Sequence, residues 1–64
     1  MDKAELGKIL KEKRENLNYS QTTCAIKCGV CLETYQKWER GLSFPKPDKY
    51  ERLRDCFGVD VDGN

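Results

Sequence analysis

The sequence of residues 20–41, SQTTCAIKCGVCLETYQKWERG, contains the clearest structural signals of this chain. Ser20 is a favourable N-cap, because its hydroxyl can accept a hydrogen bond from the backbone of the first helical turn. Gly29 lies where a helix begun after Ser20 would end, and glycine adopts the left-handed backbone conformation of a helix stop at little cost. We therefore predict two short helices, Gln21 to Cys28 and Leu32 to Arg40, that are joined by a sharp turn.

Length and composition indicate one small domain. The chain has 64 residues, of which 38% are hydrophobic and 36% are charged. This profile is typical of a soluble helical domain rather than a disordered chain. No apolar run approaches the ~20 residues that a membrane span needs, and the N-terminal MDKAELGKIL lacks the apolar stretch of a secretion signal. We expect a single domain over residues 1–64, a cytoplasmic location and no membrane partner.

Charge is unevenly distributed along the chain. The sequence carries 12 basic and 11 acidic residues, which gives a formal net charge of +1. Residues 21–46 contain four basic and two acidic side chains, whereas residues 47–64 contain three basic and five acidic ones. The excess positive charge therefore lies on the segment with the two short helices. Its sign suits a polyanionic partner, and its small size predicts modest, salt-sensitive affinity.

Two further helices are predicted on either side of this segment. The first runs from about Lys3 to Asn16 and is followed by Asn18, a residue that tolerates the left-handed conformation. The other is bounded at its start by Pro45 and Pro47, since proline fits the first helical turn but not the interior, and it ends at Gly58. At helical spacing, the positions expected to face the core are Leu6, Ile9, Leu10, Leu17, Val30, Tyr35, Trp38, Tyr50, Leu53, Cys56 and Phe57, with Val59 and Val61 packing back behind them.

The four cysteines allow two interpretations. Cys24, Cys28 and Cys31 have the C-x3-C-x2-C spacing with which radical-SAM enzymes hold an iron–sulfur cluster, and Cys56 could supply a fourth thiol. Alternatively, Cys24, Cys28 and Cys56 face the core, where a free cysteine behaves as a small hydrophobic side chain. We favour the core interpretation, because the chain has no histidine and is too short for the barrel that radical chemistry requires. We therefore expect no metal, no cofactor and no disulfide, and we expect Cys31, at the turn, to be the most exposed thiol.

Taken together, these residues resemble the XRE/Cro–C1-type helix-turn-helix domains of phage and bacterial regulators. The resemblance covers about residues 6–61 and depends on the residues at Arg14, Ser20, Gln21, Ala25, Gly29, Val30, Thr34, Trp38, Glu39, Gly41, Gly58 and Val59. It implies an all-α fold, a compact four- to five-helix bundle like that of lambda repressor, with the helix-turn-helix proper at residues 21–40. It also implies double-stranded DNA as the partner, contacted in the major groove by the helix that begins at Leu32.

The resemblance also assigns roles to individual residues. Arg14 is expected to pair with Glu39 and so attach the DNA-contacting helix to the rest of the domain. The resemblance places Gln21 on a backbone phosphate and Leu32, Glu33, Gln36 and Lys37 on the base edges. To these we add Thr22, Arg40 and Lys46 as expected phosphate contacts; the basic side chains cluster in this segment, although a solvated face is the alternative explanation for them.

Two hypotheses about function follow. The first is a sequence-specific DNA-binding transcriptional regulator, acting alone or as a homodimer on half-sites about 34 Å apart; repression and activation both stay open. The second is a protein-interaction module of the same fold, such as an antitoxin or a phage-encoded modulator, whose apolar Leu32, Leu42 and Phe44 contact a protein partner. Phe44 is equally compatible with packing beneath the fourth helix. Catalysis and a small-molecule substrate are not expected, because the usual catalytic constellations are missing from the sequence.

Overall fold

A computed structural model of the chain describes residues 1–58. It contains four helices, α1 (Lys3–Asn16), α2 (Gln21–Cys28), α3 (Leu32–Glu39) and α4 (Pro47–Phe57), and no strand within the described residues. The predicted all-α class is therefore confirmed. The bounds of α1 and α2 agree with the prediction, while α3 ends one residue early because Arg40 is its C-cap. The predicted packing of Val59 and Val61 lies outside the described residues.

Local sequence explains where the helices begin. Asp2 Oδ1 accepts a hydrogen bond from the Glu5 backbone N–H at 2.8 Å, and Ser20 Oγ accepts one from the Thr23 N–H at 3.0 Å. These caps satisfy N–H groups that have no partner within their own helix. Helix α4 begins at Pro47, where the missing N–H costs nothing. None of the described helices is long and apolar enough to cross a membrane.

Left-handed residues end α1 and α2 as predicted. Gly29 has φ 71° and ψ 33°, its N–H donates to the Ile26 carbonyl at 3.1 Å, and the Val30 N–H donates to the Ala25 carbonyl at 3.0 Å. This pair of hydrogen bonds is a Schellman motif, which turns the chain sharply out of α2. Asn18, with φ 58°, ends α1 in the same way. The turn between α2 and α3 is therefore specified by local backbone geometry.

The core lies where α1 and α2 pack on α3, and where α4 packs on α2. Its buried hydrophobic residues are Leu6, Leu10, Cys24, Ala25, Cys28, Tyr35, Trp38, Leu53 and Phe57, with Tyr19, Val30, Tyr50 and Cys56 partly buried against them. Most of the predicted core positions are thus confirmed; Ile9 is half-buried and is not part of this cluster. Leu17 is a correction: it is 42% exposed, because it is the C-cap of α1 and no longer follows the buried helical face.

Gly7 creates a close helix contact that the sequence analysis did not identify. It is buried in α1, and a Cβ atom placed on it would clash with the Glu39 carbonyl oxygen and lie 2.9 Å from that of Trp38. Only a residue without a side chain allows the backbones of α1 and α3 to approach so closely. The sequence does contain an indication of this contact. A glycine inside a predicted helix is less stable there than alanine would be, and close packing against another helix is a common reason for its presence.

Candidate nucleic-acid interface

Helix α3 has a buried face and an exposed face. On the buried face, the rings of Tyr35 and Trp38 pack edge to face with centroids 5.9 Å apart and planes at 67°. Both residues are almost fully buried, at 0% and 3% exposure, which confirms their predicted place in the core. The opposite side, which we call the outer face of α3, carries Leu32, Glu33, Gln36, Lys37 and Arg40, all exposed or half-buried.

The outer face is polar and only lightly constrained. Leu32 is 38% exposed, while Lys37 Nζ lies 3.6 Å from Glu33 Oε1 in an i,i+4 ion pair whose side chains are 51% and 79% exposed. Such an exposed pair contributes little to stability, because both charges stay hydrated. These side chains can therefore reorient toward a ligand at small cost.

The Arg14–Glu39 pair attaches α3 to α1. Arg14 Nε donates to Glu39 Oε2 at 2.6 Å and Arg14 Nη2 donates to Oε1 at 3.2 Å, a two-pronged arrangement. A further guanidinium N–H donates to the Tyr19 carbonyl at 3.0 Å. The side chains are only 14% and 5% exposed. Burial by itself raises the pKa of the Glu39 carboxyl, but hydrogen bonds led by those from Arg14 outweigh it and hold the pKa below its usual value.

Gln21 lies between this ion pair and the outer face. Its Nε2 donates to Glu39 Oε1 at 3.1 Å, and its Oε1 accepts a hydrogen bond from Gln36 Nε2, also at 3.1 Å. Two residues that the sequence assigned separately, one to phosphate and one to bases, are thus in direct contact. Each Gln amide keeps a second N–H, so Gln21 can still donate to a phosphate. Sequence spacing carried no signal for this contact, because it depends on how α2 crosses α3.

The remaining candidates lie at helix ends. Thr22 is exposed in the first turn of α2, Lys46 is the exposed N-cap residue of α4, and Arg40 is exposed after α3. No hydrogen bond or ion pair found within residues 1–58 joins them to one another. Cys31 is the N-cap residue of α3 but makes no side-chain capping hydrogen bond; its Sγ instead lies 3.2 Å from Thr34 Oγ1.

The loop between α3 and α4 exposes two large apolar side chains. Leu42 is 58% exposed and Phe44 is 45% exposed. Phe44 also borders a shallow hollow with Trp38 and Lys49, a residue of α4. The two alternatives for Phe44, exposure and packing near α4, are therefore both partly met.

The cysteines divide into buried and exposed thiols. Burial raises the pKa of Cys24 and of Cys28 to about 11, and it raises the pKa of the half-buried Cys56 as well. The exposed Cys31 differs, because its hydrogen bond with Thr34 lowers the pKa of its thiol. The core interpretation of Cys24 and Cys28 is confirmed. Within the described part of the chain, no group of three potential ligands has metal-binding geometry.

Two helices joined by a tight glycine turn, with the second presenting a polar outer face, define a helix-turn-helix protein. A helix-turn-helix family model matches residues 10–64 of the chain. The chain therefore belongs to the XRE-type helix-turn-helix family of DNA-binding regulators, as its sequence resemblance indicated. No curated protein matches its sequence significantly.

Proposed function

We propose that this protein is a sequence-specific transcriptional regulator of XRE/Cro–C1 type that inserts α3 into the DNA major groove. The observation that carries this proposal is the asymmetry of α3. Its inner side is held by Tyr35, Trp38 and the Arg14–Glu39 pair, while four of the five residues on its outer face are exposed and only Gln36 is half-buried. A rigidly held helix with an accessible polar face is what base recognition requires.

The chemistry of the outer face matches base edges. Leu32 can contact a thymine methyl group, Glu33 can accept a hydrogen bond from cytosine N4, and Lys37 can donate to guanine O6 or N7. Gln36 offers both a donor and an acceptor. The face therefore carries different chemistry at successive positions, as expected for recognition of a defined sequence.

Phosphate contacts would fix the orientation of the domain. Gln21 and Thr22 lie in the first turn of α2, where backbone N–H groups and the helix dipole favour an anion. Lys46 begins α4, and Arg40 follows α3. Each phosphate neutralised should contribute about −0.9 to the slope of log affinity against log salt concentration. Because few basic side chains take part, we expect a modest affinity that still falls clearly as salt is added.

A homodimer would extend the recognised sequence. Two copies on an inverted repeat would place their α3 helices in successive major grooves, with half-site centres about 34 Å apart. Bound in a promoter, such a dimer would act by blocking RNA polymerase or by contacting it.

Selection from random duplex DNA, at two salt concentrations, tests the proposal. We expect enrichment of a short motif, with an inverted repeat if the protein binds as a dimer. Lys46→Ala should weaken binding to all duplexes alike and lower the salt slope by about one. Lys11→Ala, which removes the same charge from an exposed site on α1, is the matched control and should leave both quantities unchanged.

A protein-interaction module is the second candidate, favoured by the exposed Leu42 and Phe44. This alternative predicts no enriched motif in the selection. It also predicts partner affinity that barely changes with salt, since an apolar interface releases few counterions. Absence of enrichment at both salt concentrations would overturn the regulator hypothesis in favour of this one.

A further inference from the structure

Four side chains form a continuous hydrogen-bonded chain from α1 to the outer face of α3. In order, they are Arg14, Glu39, Gln21 and Gln36, linked by hydrogen bonds of 2.6, 3.1 and 3.1 Å. We call this set the relay. It starts at an ion pair with side chains 14% and 5% exposed and ends at a residue proposed to contact bases.

The direction of every hydrogen bond in the relay is set by its buried end. A guanidinium can only donate and a carboxylate can only accept, so Gln21 must turn its NH2 group toward Glu39. The carbonyl oxygen of Gln21 then faces Gln36, which must in turn present its own NH2 group. An amide that could adopt two orientations in isolation is thereby restricted to one.

Reversing Gln36 would be unfavourable. Its Oε1 would then lie against Gln21 Oε1, placing two acceptors face to face. Reversing Gln21 as well would only move the conflict to the buried carboxylate of Glu39. A polar group forced into such a site without a partner loses the free energy of its hydrogen bonds.

The remaining hydrogen-bonding groups of Gln36 are its Oε1 and its second N–H, neither of which has a partner within residues 1–58. Adenine presents a complementary pair in the major groove, with N7 as acceptor and N6 as donor. Guanine presents two acceptors, N7 and O6, so its O6 would face the Gln36 oxygen.

We propose that the relay makes Gln36 a selector of adenine over guanine, with Gln21 acting as the positioning residue that holds the Gln36 amide. This inference depends on the proposed function and assigns the base recognised by one position of the same site. Gln21 makes no base contact in this scheme. Its effect on sequence preference is transmitted through the orientation of its neighbour.

The test replaces Gln21 with methionine, which has a similar length but cannot make the amide hydrogen bonds. Comparison of Gln36→Ala with the wild-type protein identifies the operator position whose base preference depends on Gln36. The wild-type protein should prefer adenine at that position. In Gln21→Met, the Gln36 amide is released, and the adenine-to-guanine ratio at that position alone should fall by about fivefold or more. The readout is relative binding to operators that differ only at that base pair.

The controls separate positioning from other roles. Loss of a phosphate contact by Gln21→Met would weaken binding to all operators alike and leave the ratio unchanged, and that result would overturn the relay. Thr22→Ala, a change on the same helical turn outside the relay, should leave the adenine-to-guanine ratio unchanged.

If Gln21→Met does not fold, wild-type protein is assayed on operators carrying 7-deazaadenine or purine at that position. Each analogue removes one of the two groups that Gln36 contacts and should weaken binding, and full affinity for both would overturn the adenine assignment.

The two proposals fail in different ways. If wild-type protein selects no motif, the regulator function itself is wrong. If it selects a motif whose base preferences survive Gln21→Met unchanged, the function stands and only the relay is wrong.

Discussion

The two sides of α3 obey different physical requirements although they are separated by less than one helical turn. The inner side holds Tyr35 and Trp38 in the core and the Glu39 carboxylate against Arg14, with that carboxylate side chain 5% exposed. On the outer face, Glu33 and Lys37 form an ion pair, and their side chains are 79% and 51% exposed. Substitutions on the inner side should therefore change stability, and those on the outer face should change DNA preference. Among residues 1–58, Gln36 couples the two sides through its hydrogen bond with Gln21.

Glu39→Ala should have the largest effect on the inner side. Removing this carboxylate leaves the Arg14 guanidinium buried without its partner, and breaking a buried pair in this way costs about 3–5 kcal/mol. The free energy of unfolding in urea measures the loss.

Glu33→Ala is the matched control, since it removes the same charge from the outer face of the same helix. It should change the free energy of unfolding by less than about 0.5 kcal/mol. A loss below about 1 kcal/mol for Glu39→Ala would mean that the pair behaves as an exposed one and does not attach α3 to α1.

Gly7→Ala should have the next largest effect. The new methyl group would clash with the Glu39 carbonyl oxygen, so α1 and α3 must separate. Overpacking of this kind costs about 1–3 kcal/mol, partly offset by the better helix propensity of alanine. Urea unfolding of Gly7→Ala and of Lys8→Ala, an exposed neighbour, measures it. Equal stability of the two variants would show that α1 can shift without loss.

Lowering the pH should reduce the stability of the fold, because it protonates the Glu39 carboxylate on the inner side of α3. The Arg14 hydrogen bonds, opposed by burial, hold the pKa of Glu39 below its usual value. Near pH 4 the folded protein therefore binds fewer protons at this group than the unfolded chain does. This contribution is complete above the unfolded pKa of about 4.3, and it is lost as the pH falls through the lower folded pKa.

Comparison with Glu39→Gln isolates this contribution. The wild type should be more stable than the variant at pH 7, and the difference in free energy of unfolding should shrink as the pH falls below about 4. A difference that stays constant down to pH 3 would mean that the pKa of Glu39 is not lowered by folding.

Local signals in the sequence predicted most of the fold. Ser20 as N-cap, Asn18 and Gly29 as left-handed stops, and Pro47 at the start of α4 each act through the backbone of their own turn, so neighbouring residues suffice to identify them. Helical spacing identified the buried face of α3 for the same reason. Leu17 was misplaced because spacing alone does not show where a helix stops following the core.

The contacts within the site were harder to predict. Gln21 and Gln36 are 15 positions apart in sequence, and Gly7 faces the end of α3 across a helix crossing. Such contacts depend on the angle and depth at which helices pack, which a pattern of residue types does not encode. The sequence thus supplied the candidate residues, and the structure supplied the coupling between them.

Lys37→Ala should have the smallest effect on stability, within about 0.5 kcal/mol, because it removes only an exposed i,i+4 pair with Glu33. Its effect on DNA preference should be large by comparison. If Lys37 contacts a base edge, the variant will lose discrimination at one operator position, as measured by binding to operators altered there. Equal weakening on every duplex would assign Lys37 to a phosphate instead. A loss of stability comparable to that of Gly7→Ala would contradict the division of α3 into an inner side for folding and an outer face for recognition.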